Sequence, residues 1–228
     1  MTGDGHWARV LALVAGTAPD LQSLCAACVA SLPTIRGASV TVMTRPGGGT
    51  VPVATDAVSG RIEELQYSLG EGPCVDATSG GQPVLVADLA SAEYGVRWPG
   101  FAAGAVAAGA AALYAFPLRV GAIRLGALSL YRAEPAPLSQ AELAGAITFA
   151  DAATLLLLST GVDGTFEVDL GRRAVVHQAT GMVKVQLGVG IEEAFVRLRA
   201  RAYVDERSLE ELSCEVVERR LRFDEMED

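Results

Sequence analysis

Residues 174–202 read AVVHQATGMVKVQLGVGIEEAFVRLRARA, and the spacing of their apolar side chains leaves few ways to fold. Val175, Val176, Ala179, Met182 and Val183 recur at three- and four-residue intervals, the period of one helical face. Gly188 and Gly190 stop that helix. Ile191, Ala194, Phe195, Leu198 and Ala202 make a second apolar stripe, with Glu193, Arg197 and Arg201 four apart on the opposite side. Ser208 stands three residues before Glu211, the spacing at which each side chain satisfies an unpaired N–H at the start of a third helix. Leu209, Leu212, Val216 and Leu221 carry the apolar stripe onward. Three short helices with one apolar face each bury all three faces as a small bundle. Gly181 lies inside the first helix, where a glycine costs roughly 1 kcal/mol against alanine; this predicts close approach of another backbone.

The order and spacing of Gln178-Ala179-x-Gly181-Met182-Val183, Glu193-Ala194-Phe195-x-x-Leu198-Arg199-x-x-Ala202 and Leu209-x-x-Leu212 resemble the ANTAR domain, a three-helix RNA-binding module of bacterial antiterminators. The resemblance covers residues 167–223. It implies a homodimer that binds stem-loops in a nascent transcript and prevents termination. RNA loops are held by Arg and Lys on phosphates and by bases stacked on aromatic or guanidinium planes. Candidates for that chemistry are Arg173, Gln178, Lys184, Arg197, Arg199, Arg201, Tyr203 and Arg207. Glu193, four residues before Arg197, gives that arginine a competing reading as a solvated ion pair. Two positions depart from the family pattern: Thr180 stands where a lysine is common, and Glu206 where an asparagine often precedes the third helix. Each departure removes a feature suited to RNA.

Upstream, the pattern changes. Leu21, Leu24, Cys25, Cys28 and Leu32 form a helical apolar face; Val40 and Val42, then Val51 and Val53, alternate as strands joined by Arg45-Pro-Gly-Gly-Gly49, a hairpin turn. Helices are predicted over residues 58–69 and 139–159, and strands over 83–86, 111–120 and 123–131. Ser139 and Glu142 have capping-box spacing. This order predicts an antiparallel sheet with helices packed on one side. With Gly70-Glu71-Gly72-Pro73-Cys74, Asp76-Ala77, Pro117-Leu118 and Gly126-Ala-Leu-Ser-Leu130, residues 20–159 resemble the GAF domain, a small-ligand sensor fold, as found ahead of ANTAR modules in actinobacterial proteins. The expectation is an α+β chain: an antiparallel GAF sheet flanked by helices over residues 1–163, then an ANTAR three-helix bundle over residues 164–228. A GAF pocket between the sheet and the loop-rich middle segment has Cys74, Trp98, Phe101, Tyr114, Phe116 and Leu130 as candidate lining. Gly95-x-x-Trp98-Pro99-Gly100 reads as a loop, on which an exposed aromatic needs a reason, so Trp98 and Phe101 lead that set.

Half of the residues are hydrophobic and 20% are charged, which excludes a disordered chain. A net charge of −9 argues against a general polyanion binder. Ten of the eighteen basic residues lie from position 167 onward, matched there by ten acids, Glu167 included, once Asp224, Glu225, Glu227 and Asp228 are set aside. No basic run precedes an apolar stretch at the N-terminus, so a cytoplasmic protein is expected. Residues 99–118 carry no charge, but their bulk is Ala and Gly, favouring a buried loop, helix and strand over a membrane span. Cys25, Cys28, Cys74 and Cys214 follow no disulfide framework, and Cys25 and Cys28 read as small core residues. With only His6 and His177, no metal or other cofactor is expected, and no histidine is placed to serve a Ser-His-acid hydrolase. One enzymatic alternative is a redox protein like free methionine sulfoxide reductase, using Cys74 with Cys25 or Cys28 and keeping the bundle for dimerisation. That chemistry needs an exposed thiolate of low pKa, and no basic neighbour of Cys74 supplies one. The reading carried forward is a non-enzymatic regulator whose partners are RNA and an unidentified small ligand, with residues 161–164, Gly-Val-Asp-Gly, as the break between its two parts.

Overall fold

The computed structural model describes residues 20–43, 50–160 and 170–223, with side chains for all of these except 43, 50–52, 160 and 170–173. The N-terminal residues 1–19, the turn at Arg45 to Gly49, the break at residues 161–164 and the side chain of Arg173 lie outside the described residues. The chain divides into two compact units, the first containing residues 20–43 and 50–160 and the second residues 170–223.

The first unit runs α1 (Leu21–Ser31), β1 (Gly37–Met43), β2 (Thr50–Ala54), α2 (Ala57–Leu69), α3 (Pro73–Gly80), β3 (Val84–Val86), α4 (Ala92–Arg97), α5 (Phe101–Ala107), β4 (Ala112–Val120), β5 (Ile123–Arg132) and α6 (Gln140–Thr160). Its five strands form one antiparallel sheet in the order β2-β1-β5-β4-β3. The uncharged run 99–118 becomes α5 and most of β4. Register places Ala38, Val40, Tyr114, Phe116, Leu128 and Leu130 on one face of the sheet, and Ser39, Thr41, Leu113, Ala115, Ser129 and Tyr131 on the other. Both faces are covered. Helices α1 and α6 pack on the first, and α2 and α3 on the second. One-sided packing does not occur, because β4 and β5 are buried along consecutive residues and lack the polar alternation of a wet face. Gly126 in β5 lets β1 pass: a Cβ there would lie 1.8 Å from the Thr41 carbonyl oxygen, at a φ of 155°.

The Ser139–Glu142 capping box forms at the start of α6, and its carboxylate does more than cap. Glu142 accepts from Ser139 N at 2.8 Å, Ser139 Oγ at 2.6 Å, Arg132 Nη2 at 2.6 Å and the Thr34 hydroxyl, so one carboxylate fastens α6 to β5 and to the connection after α1. Among the described residues one helix, residues Gln140–Ser159, is long and apolar enough to span a bilayer, with mean hydropathy 1.6. In this unit it lies along the sheet, burying Ala146, Phe149, Ala153, Leu156 and Leu157.

The second unit is three helices, α7 (Leu170–Leu187), α8 (Ile191–Val204) and α9 (Leu209–Val217). Val176, Ala179, Val183 and Leu187 meet Ala194, Leu198 and Ala202 and then Leu209, Leu212 and Val216 in a closed core. The Ser208–Glu211 box starts α9, with Glu211 N donating to Ser208 Oγ at 3.1 Å and Ser208 N to Glu211 Oε2 at 3.2 Å. Gly181 does not admit a backbone: no described atom lies within 4 Å of a Cβ built there.

Candidate functional site

In the first unit the Gly70-Glu-Gly-Pro-Cys74 segment builds the turn from α2 into α3. Gly72 sits at a φ of 118°, and a Cβ on it would come within 2.8 Å of Gln66 Oε1. That oxygen accepts from Cys74 N at 2.7 Å, which seats the start of α3. Glu71 Oε2 accepts from Gly100 N at 3.1 Å and Phe101 N at 3.3 Å, so the same segment also caps α5. Beneath the turn lies a buried polar cluster. Glu63 accepts from Ser39 Oγ at 2.8 Å, Thr41 Oγ1 at 2.5 Å and Gln66 Nε2 at 3.2 Å, and no cation pairs with it among the described residues.

Three of the candidate lining residues, Cys74, Trp98 and Phe101, occupy this face of the sheet; Tyr114, Phe116 and Leu130 occupy the other. The six therefore line no common cavity. Trp98 and Phe101 are 2% and 0% exposed, so they are core side chains and not the exposed loop aromatics expected. They form a core with Ile62, Val86, Leu89 and Leu113, in which Trp98 stacks on Tyr94 at 5.3 Å and meets Phe101 edge-on at 6.1 Å. Asp76 fixes the rim, accepting from Trp98 Nε1 at 3.2 Å and pairing with Arg97 at 2.7 Å.

On the second unit the candidates divide by face. Glu193, Arg197, Arg201 and Asp205 form an acid–base ladder at four-residue spacing, with ion pairs at 2.6 Å and 2.8 Å. Phe195, Arg199 and Tyr203 make a separate stripe, flanking the core from the other side. There the Arg199 guanidinium lies 4.0 Å from the Phe195 ring centre, and Tyr203 is 65% exposed. Arg207 holds Glu215 at 2.8 Å; Gln178 and Lys184 on α7 are exposed.

The family model of the GAF domain matches residues 18–157, and that of the ANTAR domain residues 165–217. The chain belongs to the GAF family. Its sheet unit is similar to the GAF domain of a phosphoenolpyruvate-protein phosphotransferase from Acinetobacter, at TM-score 0.53 and 11% identity, over 70% of this chain and 95% of that one. It is likewise similar to the GAF domain of the corresponding protein from Coxiella burnetii, at TM-score 0.52 and 16% identity, over 72% and 97%. A type II free methionine-R-sulfoxide reductase from Thermoplasma acidophilum is a looser likeness, at TM-score 0.41 and 15% identity, over 70% and 96%. Identities this low carry the fold alone. No curated protein matches the chain.

The cysteines of the GAF unit run against the redox alternative. Cys74 is buried; burial and then the nearby Glu63 carboxylate push its thiol well above the ordinary range, and the hydroxyls of Ser129, Thr41 and Thr78 only partly oppose them. Burial, with Glu63 and Asp20 adding to it, pushes Cys25 up to about 12, and burial also raises Cys28. Nucleophilic cysteines need the opposite shift.

The two departures in the ANTAR unit have conformational explanations. Thr180 is 2% exposed and donates to the Val176 carbonyl at 2.7 Å, so this position faces the core and takes nothing from the charged surface. Glu206 holds a φ of 51° in the turn after α8, a left-handed position that asparagine tolerates better.

Sequence spacing did not single out a cleft of about 380 Å³ lined by Met182, Gln186, Arg219, Arg222 and Phe223. Arg219 occupies the left-handed position of a Schellman turn after α9, at a φ of 61°, with Arg219 N donating to Val216 O at 3.0 Å and Arg220 N to Glu215 O at 2.8 Å. Glycine is the usual residue there, and an L side chain costs roughly 1 kcal/mol. A left-handed arginine has no signature in a sequence.

Proposed function

We propose that this GAF-ANTAR protein is a non-enzymatic cytoplasmic regulator that binds stem-loops in a nascent transcript as a homodimer and prevents termination, with the GAF unit sensing a small ligand or a protein partner. The observation that carries the RNA part is the Phe195–Arg199–Tyr203 stripe on the ANTAR unit, where a guanidinium lies on the Phe195 ring one helical turn from the exposed Tyr203, groups suited to phosphate and base. Arg197 and Arg201 belong to the proposed set as well, with an RNA phosphate competing there with Glu193 and Asp205. Gln178, Lys184, Arg207 and Arg173 complete the proposed set. In the GAF unit the sensing region is the face under α2 to α5, around Cys74, Trp98, Phe101 and the Glu63 cluster, with Tyr114, Phe116 and Leu130 supporting it from the opposite layer. The dimer contact is assigned to α6, where Ile147, Leu155 and Leu158 are 44%, 53% and 54% exposed along one stripe.

Filter binding of the full chain to a stem-loop RNA pool across a salt series tests the reading. Affinity should fall steeply with salt, and Arg199→Ala should weaken binding. Binding that is absent, or indifferent to salt, would remove the RNA function.

A further inference from the structure

The geometry points to the Arg219–Arg222 cleft as a slot for one unstacked nucleotide of the RNA loop, with the two guanidiniums on its phosphate and Phe223 and Met182 against its base. This rests on the RNA-binding reading and adds a recognition site away from α8. At about 380 Å³ the cleft falls at the small end of the roughly 300–1,000 Å³ range of ligand sites.

Among the described residues, the charged side chains that line it are two guanidiniums. The carboxylates at the end of α9 are already engaged, Glu215 by Arg207 and Glu218 by Arg220. No ion pair holds Arg219 or Arg222 among the described residues, and both are exposed. Arg219 holds a left-handed φ of 61° in the turn and its side chain lines the cleft.

The other walls suit a base. Gln186 Oε1 accepts from Phe223 N at 2.9 Å, which latches the segment after α9 onto α7 and fixes the direction of the amide. The amide NH2 is then left as a donor for a carbonyl or ring nitrogen on a base edge. Phe223 supplies an aromatic ring and Met182 a polarisable apolar surface, a pairing on which any base can stack. A phosphate clamp, a stacking wall and one directed amide together read one splayed nucleotide. The same chemistry would take a free nucleoside monophosphate, so the test separates the two sources.

The full chain is titrated with a labelled stem-loop RNA pool carrying a randomised loop, at several salt concentrations, alongside four variants. Arg219→Gly combined with Arg222→Gln should reduce the slope of log affinity against log salt by about 0.7, the value for the one single-strand phosphate that the two guanidiniums share. Arg219→Gly alone should raise the denaturation midpoint while lowering RNA affinity, a split that a purely structural role would not produce. Phe223→Ala, which keeps the backbone latch, should weaken binding roughly 5- to 150-fold. Gln186→Glu, which keeps the latch acceptor and removes the NH2, should flatten the base preference at one loop position. If the wild-type protein does not bind the pool, the regulator reading fails and takes this inference with it. If it binds with a salt slope and affinity unchanged in the double variant and in Phe223→Ala, the inference alone fails. AMP binding that perturbs Phe223, with pool binding unaffected by every variant, would overturn the RNA slot in favour of a free nucleotide.

Discussion

Replacing Glu142 with glutamine should remove a large pH-dependent part of the GAF unit's stability. Burial raises the pKa of this carboxyl, but the hydrogen bonds from Ser139 and Thr34 and the charge of Arg132 outweigh it and hold the group at about 2 against an ordinary 4.5. Its side chain is 14% exposed and that of Arg132 9%, so water screens the pair little. A carboxyl depressed in the folded state contributes stability that is fully present above its unfolded pKa and is lost as pH falls through the folded one, here between about pH 5 and pH 2. The shift corresponds to about 3 kcal/mol at neutral pH. Urea unfolding followed by tryptophan fluorescence in a Trp7→Phe background, which leaves Trp98 in the core of this unit as the reporter, reads the effect directly. Between pH 6 and pH 2 the wild type should lose about 3 kcal/mol more than Glu142→Gln, while at pH 7 the variant should be the weaker by a similar amount, because it leaves Arg132 buried without its counter-charge. Parallel pH profiles in the two proteins would refute the hub assigned to Glu142.

Three further outcomes follow from the packing. Gly181→Ala should stabilise the ANTAR unit by about 1 kcal/mol, measured by guanidinium unfolding under circular dichroism, since the helix gains propensity and the new methyl meets nothing; a destabilised variant would mean that the site is not open. With a maleimide reagent at pH 7.5, Cys214 should label in the native protein while Cys25, Cys28 and Cys74 label only on unfolding; rapid modification of Cys74 would restore the enzymatic alternative. Leu155→Glu should shift the protein from dimer to monomer in sedimentation velocity at micromolar concentration, and an unchanged dimer would place the contact elsewhere.

The ANTAR helices were legible because each is amphipathic over several turns and two carry explicit stop or cap residues, Gly188 with Gly190 and Ser208 with Glu211. The GAF strands were legible from alternation at Val40 and Val42 and from the long apolar runs of β4 and β5. Sidedness was not: a run buried on both faces looks the same whichever layer each side chain enters, so Tyr114 and Trp98 were grouped although the sheet lies between them. The middle segment hid for a different reason. Helices α3, α4 and α5 are only 8, 6 and 7 residues long, too short to display a period, and glycine and proline in the stretch suggested open loops where the chain buries Trp98 and Phe101. Gly181 was misread because a helical glycine and a crowded glycine look identical until the neighbours are placed. Arg219, Arg222 and Phe223 escaped notice because they follow the last amphipathic helix, in a turn whose left-handed residue is an arginine.

The most direct test of the central claim is the salt dependence of RNA binding by the full chain, comparing wild type with the double variant Arg199→Ala, Tyr203→Ala. The account predicts a wild-type slope of log affinity against log salt that is clearly negative, and in the variant a slope smaller by about 0.7 together with an affinity lower by roughly 5- to 150-fold for the lost stacking surface. Equal affinities and equal slopes for the two proteins would contradict it.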